Sequence, residues 1–468
     1  MSIARVPDSP KPEDQEPKPN AKSKNLLHNK TIKAILQSPW FPGIIQVPVL
    51  LVFALIVFEL VAGPSDAHGN FGTAGTWVLW WPLIPIILIV LGRFWCAICP
   101  FATVSDWVQK WVGNQRPVPK FLKKYGIWLI DIFFILITWS DHVVGIVENP
   151  RGSGTLLLLI TTGVIASGAF FERRTWCRYL CFLGGLSGNY ARSGGLELSA
   201  TPEKCASCKT QSCYKGNEKA PGCPMFEFPR TMDSMASCNL CANCIKSCPN
   251  DSIQLHTRIP STGLWFINKP KFEESFLAII IMGIVFVQNI TMISIWQPIL
   301  TALQNIVGTT NYYITFTITF IIAMGLPVLA LFAASWGAKL ANGKKTVENF
   351  ARFGYSLIPL DLAGHIAHNL FHLLAEGKSV YFTFLALFGQ AIPNGSTALV
   401  ATPTIQLMQF ILIALGTIGS GYAAYRIAKH NFGGEGKTAG SFVPYGVLIV
   451  VLAAINVYLF TLPMSMRM

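Results

Sequence analysis

Residues 205–224 read CASCKTQSCYKGNEKAPGCP, and residues 238–249 read CNLCANCIKSCP. Each stretch holds four cysteines, and a proline follows the fourth. The cysteines of the second stretch are separated by two, two and three residues, and those of the first by two, four and nine. Cysteines this closely spaced bind metal ions or iron–sulfur clusters rather than forming a disulfide framework. These eight thiols are therefore the strongest functional signal in the chain.

The spacing of residues 238–249 is that of bacterial ferredoxins, in which three cysteines bind one 4Fe–4S cluster and the fourth binds the neighbouring cluster. Two such runs predict two clusters with crossed ligation. The longer interval between Cys208 and Cys213 predicts an insertion loop. Zinc binding by the CxxC pairs remains an alternative. The predicted ligand sets are Cys205, Cys208, Cys213 and Cys248 for one cluster, and Cys238, Cys241, Cys244 and Cys223 for the other.

The composition is that of a membrane protein. Of the 468 residues, 52% are hydrophobic and only 13% are charged, about half the charged fraction of a soluble domain. The net charge of +13 is then better explained by membrane orientation than by nucleic-acid binding, and we expect no nucleic-acid partner. The apolar segments predict an all-α integral membrane bundle of about nine spans with a small α+β ferredoxin-like insert. The predicted spans are residues 43–63, 77–95, 126–147, 154–171, 275–297, 312–335, 354–374, 404–427 and 442–463.

These segments divide the chain into four parts. We expect residues 1–42 to form a disordered basic cytoplasmic tail with a short amphipathic helix near residues 30–38, and residues 43–182 to hold four spans with the two repeated cysteine-pair hairpins. Residues 183–274 form the two-cluster insert, and residues 275–468 hold five spans. Lys and Arg are concentrated in the tail and in the loops after the second, sixth and eighth spans. Because basic loops remain in the cytoplasm, we expect a bacterial cytoplasmic (inner) membrane protein with its N-terminus and insert inside and its C-terminus outside.

The first four spans contain an internal repeat. The second span ends GRFWCAICPF and the fourth ends RRTWCRYLCF, so each hairpin closes on arginine, tryptophan and a cysteine pair. Four converging thiols would bind a third cluster or a thiophilic metal, or two of them would cycle as a redox disulfide. Packing at a helix boundary is the structural alternative. The neighbouring arginines would stabilise thiolates or act as positive-inside anchors, and we favour the anchor interpretation; they are Arg93, Arg173, Arg174 and Arg178. The paired cysteines are Cys96 with Cys99 and Cys177 with Cys181.

The repeated cysteine-pair hairpin followed by a two-cluster insert, over residues 43–260, resembles the NapH/NosR/CcoG group of membrane polyferredoxins. The resemblance implies electron transfer within a multi-subunit redox pathway. It implies quinol dehydrogenase chemistry in the NapH-like case and copper reduction or handling for oxidase assembly in the CcoG-like case. The group's usual CxxxCP is altered in both copies here: the first pair is one residue shorter, and phenylalanine replaces the proline of the second. The last five spans match no pattern of the group.

The seventh predicted span carries a stripe of ionisable residues. One aspartate and three histidines follow each other at offsets of four, seven and eleven, which places them on one face of a helix. Ionisable side chains inside a span are costly and indicate function. Haem b with an axial histidine from another helix, copper bound by two histidines, a quinol site and plain helix–helix hydrogen bonding all stay open. The residues are Asp361, His365, His368 and His372, with His142 as the second haem ligand.

Together these patterns predict a membrane-bound iron–sulfur electron-transfer protein. It would move electrons between the cytoplasm or quinol pool and an acceptor on the outer side, through two 4Fe–4S clusters and the membrane-embedded histidine site. Its expected partners are membrane lipid and either quinone or electron donor and acceptor proteins. A copper-handling assembly factor and a membrane redox sensor acting through the two cysteine pairs are the alternatives.

Overall fold

The structure is a computed structural model in which residues 24–393 and 395–464 are described. These residues form a helical bundle with a small, partly β insert. Eight of their helical segments are long and apolar enough to cross a membrane, which agrees with a helical membrane protein. The segments are Gly43–Ala62, Phe71–Val112, Lys120–Val144, Pro150–Phe170, Phe272–Thr291, Tyr312–Asn342, Thr402–Phe432 and Gly436–Thr461.

The longer helices are numbered in chain order. The second apolar segment is interrupted: after the short turn Phe71–Thr73 it continues as a π-helical stretch, Ala74–Trp80. The remaining short helical turns are Leu26–His28, Gly92–Phe94, Trp95–Ile98, Thr175–Tyr179, Pro202–Ala206, Ser212–Lys215, Asn243–Ser247, Thr262–Leu264 and Gly354–Leu357. The longer helices are α1 (Lys30–Gln37), α2 (Gly43–Ala62), α3 (Trp81–Leu91), α4 (Pro100–Val112), α5 (Lys120–Val144), α6 (Pro150–Phe170), α7 (Phe182–Ala191), α8 (Phe272–Thr291), α9 (Trp296–Val307), α10 (Tyr312–Asn342), α11 (Thr346–Phe353), α12 (Ile358–Ala375), α13 (Lys378–Ala386), α14 (Thr402–Phe432) and α15 (Glu435–Thr461).

The predicted seventh span is α12, which is not among the eight apolar segments. Its aspartate, asparagine and three histidines lower its mean hydropathy. Sixteen of its eighteen residues are buried, and it packs against α14, α8 and α3. Protein therefore surrounds the ionisable stripe almost completely.

The insert contains two antiparallel strand pairs and several short helices. Strands β1 (Leu196–Ala200) and β4 (Ile253–Thr257) pair from its two ends, and β2 (Gly216–Asn217) pairs with β3 (Ala220–Pro221) between them. The expected boundary at residue 183 is wrong because α7 belongs to the bundle, where its apolar side chains join the main hydrophobic core. The insert therefore begins after α7.

The expected tail is not disordered throughout. Residues 1–23, and residues 465–468 at the other end of the chain, lie outside the described part. In residues 24–42, α1 occupies the position of the expected amphipathic helix, and Leu27 is only 6% exposed. Leu27 and Phe41 pack with insert residues, including Leu198 of β1. Burying a leucine side chain contributes about 1.5–3 kcal/mol, so apolar burial accounts for the order of this segment.

Candidate iron–sulfur centres

The loop Cys238–Cys248 turns its backbone amides towards its own sulfur atoms. Leu240 and Ala242 adopt positive φ values of 55° and 63°. The N–H groups of Leu240 and Asn243 donate hydrogen bonds to the thiols of Cys238 and Cys241. Alternating left- and right-handed residues form concave nests that are typical of Fe–S sites. The loop is therefore shaped to stabilise thiolates.

The eight insert thiols lie in two neighbouring groups. Burial, followed by the proximity of Cys248, Cys205 and Cys208, raises the pKa of Cys213 to about 12. Burial, followed by Cys241, raises the pKa of Cys223 to about 11. Buried thiols with such pKa values become thiolates only when a cation compensates their charge, as iron would. The assignment of all eight as ligands stays a prediction. Cys244 interacts electrostatically with Cys238, Cys241 and Cys223 and, most weakly, with Cys213 of the other group. The two groups are therefore adjacent.

A cavity lies inside the second group. Its empty volume is about 360 Å³, and its walls include all four thiols predicted for that cluster. Among the described residues, no three His, Cys, Asp or Glu side chains converge tightly enough to hold a single metal ion. A 4Fe–4S cluster has a different requirement, because each thiolate binds a separate iron. Four separate thiols around one cavity fit this requirement. The four thiols are those of Cys223, Cys238, Cys241 and Cys244.

The two membrane-edge cysteine pairs also come together. Cys96 lies in the turn Trp95–Ile98 and Cys99 immediately precedes α4. Cys177 lies in the turn Thr175–Tyr179, and Cys181 immediately precedes α7. Cys181 lies near enough to the other three thiols to interact with each electrostatically. The repeat thus brings one cysteine pair from each copy to a common point.

Two buried arginines hold this point in place. The Arg174 guanidinium, 2% exposed, donates to Asp106 at 2.6 Å and to the carbonyl oxygen of Cys96 at 2.7 Å. Arg93, 4% exposed, lies 3.4 Å from the Cys96 sulfur and donates to the carbonyl oxygen of Ala236 in the insert at 2.6 Å. Their burial favours the alternative that they stabilise the thiolates. Both bring positive charge to the thiols, and Arg93 also joins the insert to the bundle.

The second insert group abuts the membrane-edge group. Cys241 shares one buried hydrophobic cluster with Cys99 and Cys177. Arg174 interacts electrostatically with both Cys177 and Cys241. The described cysteines therefore form a continuous series of three four-thiol groups from the insert into the bundle.

Beyond the last group lies an aromatic cavity that we did not predict. Its empty space, which includes space open to the surroundings, is about 910 Å³, and Cys181 is part of its wall. Three buried polar atoms of lining residues have no hydrogen-bond partner in the described structure: Thr76 Oγ1, Trp176 Nε1 and Gln288 Oε1. The only sequence signal was the tryptophan-rich start of the second span. Its aromatic walls include Trp77, Trp80, Trp81, Trp176, Phe101, Phe134 and Phe182.

The histidine stripe forms as expected, but His142 does not face it. The ring nitrogens of His142 lie 2.9 Å from the Thr138 carbonyl oxygen and 3.2 Å from Thr291 Oγ1, and its ring stacks on Phe316. These contacts do not support a haem held between His142 and the stripe. None of the four histidines lines the aromatic cavity.

Within the stripe, each histidine has a partner that the sequence did not indicate. His365 Nδ1 lies 3.2 Å from the Tyr190 hydroxyl, and His368 Nδ1 lies 2.8 Å from Asn289 Oδ1. His372 Nδ1 lies 3.1 Å from Glu376 Oε1. Glu376 could have been found by continuing the stripe by four residues. Tyr190 and Asn289 lie on other helices and left no signal.

Comparisons with known proteins bear on the membrane-edge cysteines. A family described as a 4Fe-4S binding domain matches residues 73–119 and 153–198, and each match contains one cysteine pair. The electron transport protein named YccM of Escherichia coli (strain K12) is 24% identical over 232 residues, which cover 43% of this chain. The alignment spans 60% of the length of that relative. No solved structure matches the chain significantly.

These findings do not single out the NapH/NosR/CcoG group. The two family matches and the eight apolar helices support a coarser conclusion: the chain has the features of a helical membrane protein, and two of its segments are similar to a 4Fe-4S binding domain.

Proposed function

We propose that the chain binds three 4Fe–4S clusters and exchanges electrons between a redox partner at the insert and a quinone in the aromatic cavity. The observation that carries this proposal is the series of three four-thiol groups, which begins in the insert and ends at the cavity wall. Cys241 lies in one hydrophobic cluster with Cys99 and Cys177, and Cys181 reaches the cavity.

The chain's own residues prepare these sites. The two insert groups would hold the crossed clusters, and the four membrane-edge thiols would hold the third. Such clusters, when bound, accept and release single electrons. Backbone amides and the buried guanidinium groups of Arg93 and Arg174 favour negative charge on the sulfurs. The apolar cluster around Cys99 excludes water between the second and third groups.

The cavity suits a quinone ring. Its aromatic and apolar walls match an apolar ring system. Thr76 Oγ1 and Trp176 Nε1 are buried donors without partners, so they would donate to the two carbonyl oxygens of a quinone. Gln288 Oε1 would accept from a quinol hydroxyl. Reducing a quinone to a quinol takes two electrons and two protons, and oxidation returns them.

The orientation of the protein in the membrane is part of the same proposal. Because the basic loops flank the side that carries the insert, we place the insert in the bacterial cytoplasm. Its exposed surface would then meet a soluble redox partner or another subunit of the pathway. The cavity would exchange quinone with the surrounding lipid.

Iron analysis of anaerobically purified protein tests the third cluster. We expect about twelve irons per chain, four for each of three clusters. The Cys96→Ser/Cys177→Ser variant should retain about eight irons, since both insert groups stay intact. Ser187→Ala, a substitution of a buried residue in α7, serves as the control and should keep about twelve irons per chain. A wild-type value of about eight irons would contradict the third cluster.

Binding of a water-soluble short-chain ubiquinone tests the cavity separately. Quenching of tryptophan fluorescence should report its binding, because four tryptophans line the cavity. The variant Thr76→Val removes one donor at nearly constant volume and should weaken binding about fivefold, the loss expected for one neutral hydrogen bond. If the wild type and the variant bind the ubiquinone with equal affinity, the quinone assignment is wrong, while the cluster assignments are unaffected.

A further inference from the structure

A column of buried ionisable side chains follows α12 through the bundle. Asp361 begins it and Glu376, directly after the helix, ends it. Both are completely buried, and so are His368 and His372, while His365 is 3% exposed. Fifteen residues of helix separate the two ends, a rise of about 22 Å, which is most of the hydrocarbon thickness of a bilayer.

Most partners in the column can take up or release a proton. The Tyr190 hydroxyl meets His365 at 3.2 Å, and His372 meets the Glu376 carboxylate at 3.1 Å. Asn289 Oδ1 accepts from His368 Nδ1 at 2.8 Å, which leaves Nε2 of that ring as the proton acceptor. The rings of His368 and His372 lie 5.2 Å apart, so the far half of the column is closely connected.

Asp361 is the residue that packing does not explain. Neither of its carboxylate oxygens has a hydrogen-bond partner among the described residues. It lies near enough to Tyr190 to interact with it electrostatically. A buried carboxylate without partners is costly, whereas a carboxyl that receives and releases a proton is a recurrent element of proton relays in membranes.

Among the described residues, no cation faces Asp361 from the neighbouring helices. Towards the opposite end, Gln409 of α14 donates to the Ala367 carbonyl oxygen. Asn456 of α15 lies against Gly364. At the insert end Glu274 binds Arg192 at 2.6 Å, Lys271 at 3.0 Å and the Tyr355 hydroxyl at 2.6 Å. The side chain of Lys271 is 53% exposed, so water reaches this charged cluster.

We propose that the α12 column conducts protons between the insert end of the bundle and its opposite end. Protons would pass between Asp361, Tyr190 and His365, and on through His368 and His372 to Glu376. No bond to a substrate forms or breaks. The proposal goes beyond the proposed electron transfer and does not depend on the identity of the electron carrier.

The column also lies beside the aromatic cavity. The Trp81 ring lines that cavity and lies 5.9 Å from the His365 ring. One side chain, that of Trp81, would separate a quinone in the cavity from this proton route. A purely structural network looks different: Tyr445 donates to Ser335 Oγ at 3.0 Å, and Ser335 in turn donates to the Leu331 carbonyl oxygen.

Proton uptake into vesicles tests the proposal. The full-length protein is reconstituted into potassium-loaded phosphatidylethanolamine/phosphatidylglycerol vesicles that contain pyranine, and valinomycin then creates an inside-negative potential. The wild type should acidify the lumen faster than protein-free vesicles in the oxidised or the dithionite-reduced state. Asp361→Asn, and independently Glu376→Gln at the other end, should lose this protein-dependent component.

Asp131→Asn is the matched control. Asp131 is also a buried carboxylate without a hydrogen-bond partner among the described residues, but it lies on α5, and its charged neighbour is Glu273 rather than a member of the column. This variant should keep the wild-type rate, and the iron content of all three variants should equal that of the wild type, which separates a blocked path from misfolding. Wild-type vesicles no faster than empty ones in both redox states, or equal losses in the Asp131 and Asp361 variants, would overturn the proposal.

Discussion

Replacing Arg174 by methionine should destabilise the protein at the membrane-edge cysteine group by about 3 kcal/mol. The guanidinium donates to Asp106 Oδ1 at 3.0 Å, to Oδ2 at 2.6 Å and to the carbonyl oxygen of Cys96 at 2.7 Å. Breaking a buried ion pair costs about 3–5 kcal/mol. The Asp106 side chain is 36% exposed, so water replaces part of the lost interaction and the lower limit applies. Because methionine keeps most of the side-chain volume, this substitution measures the effect of the lost charge rather than the effect of lost packing.

Unfolding of the purified protein in dodecyl sulfate, followed by tryptophan fluorescence, would measure this loss. The variant Asp106→Asn and the double variant Arg174→Met/Asp106→Asn complete a thermodynamic cycle. Because the two side chains stabilise each other, the double variant should be clearly more stable than the sum of the single losses predicts. Losses that add to within about 0.5 kcal/mol would refute this reasoning. The positive charge also lies between Cys177 and Cys241, so its removal should lower the midpoint potential of a cluster bound there.

Three further perturbations address other parts of the structure. Gly163→Leu should weaken binding of the ubiquinone probe, because a side chain there collides with the Trp176 ring; Gly325→Leu, which meets open space, should not change it. Leu27→Asp should detach the N-terminal segment from the insert, which would be detected as faster loss of Fe–S absorbance in air. His142→Phe should leave the reduced-minus-oxidised spectrum unchanged, whereas loss of a sharp haem band would contradict our account of the stripe.

The sequence was most informative where function depends on local spacing. The interval of two residues between Cys238, Cys241 and Cys244 determines how one loop can wrap around a cluster. The repeat of Cys96/Cys99 and Cys177/Cys181 indicated that two hairpins end alike, and the structure brings these thiols together. In the same way, the four-residue period of α12 correctly indicated a common face for its ionisable residues.

What the sequence left open depends on which helices become neighbours. Nothing in the chain near Tyr190 or Asn289 indicates that either side chain meets a histidine more than seventy residues away. His142 illustrates the reverse case: the sequence suggested it as a haem ligand opposite the stripe, whereas its ring contacts Thr138, Thr291 and Phe316. The aromatic cavity was equally hidden, because a tryptophan that lines a cavity and one that faces lipid leave the same pattern. Order in residues 24–42 depends on the apolar surface that the insert offers to Leu27.

The almost complete burial of α12 has a consequence for how the protein is made. A segment with an aspartate and three histidines is a poor substrate for insertion by the translocon, where charged residues carry a penalty of about 2.5–3.5 kcal/mol each. Its most extensive contacts are with α14, which is synthesised after it. Therefore α14 must be synthesised before α12 can bury its most extensive contact surface. Biogenesis of this half of the bundle is cooperative, and truncation between the two helices should leave α12 outside the bilayer.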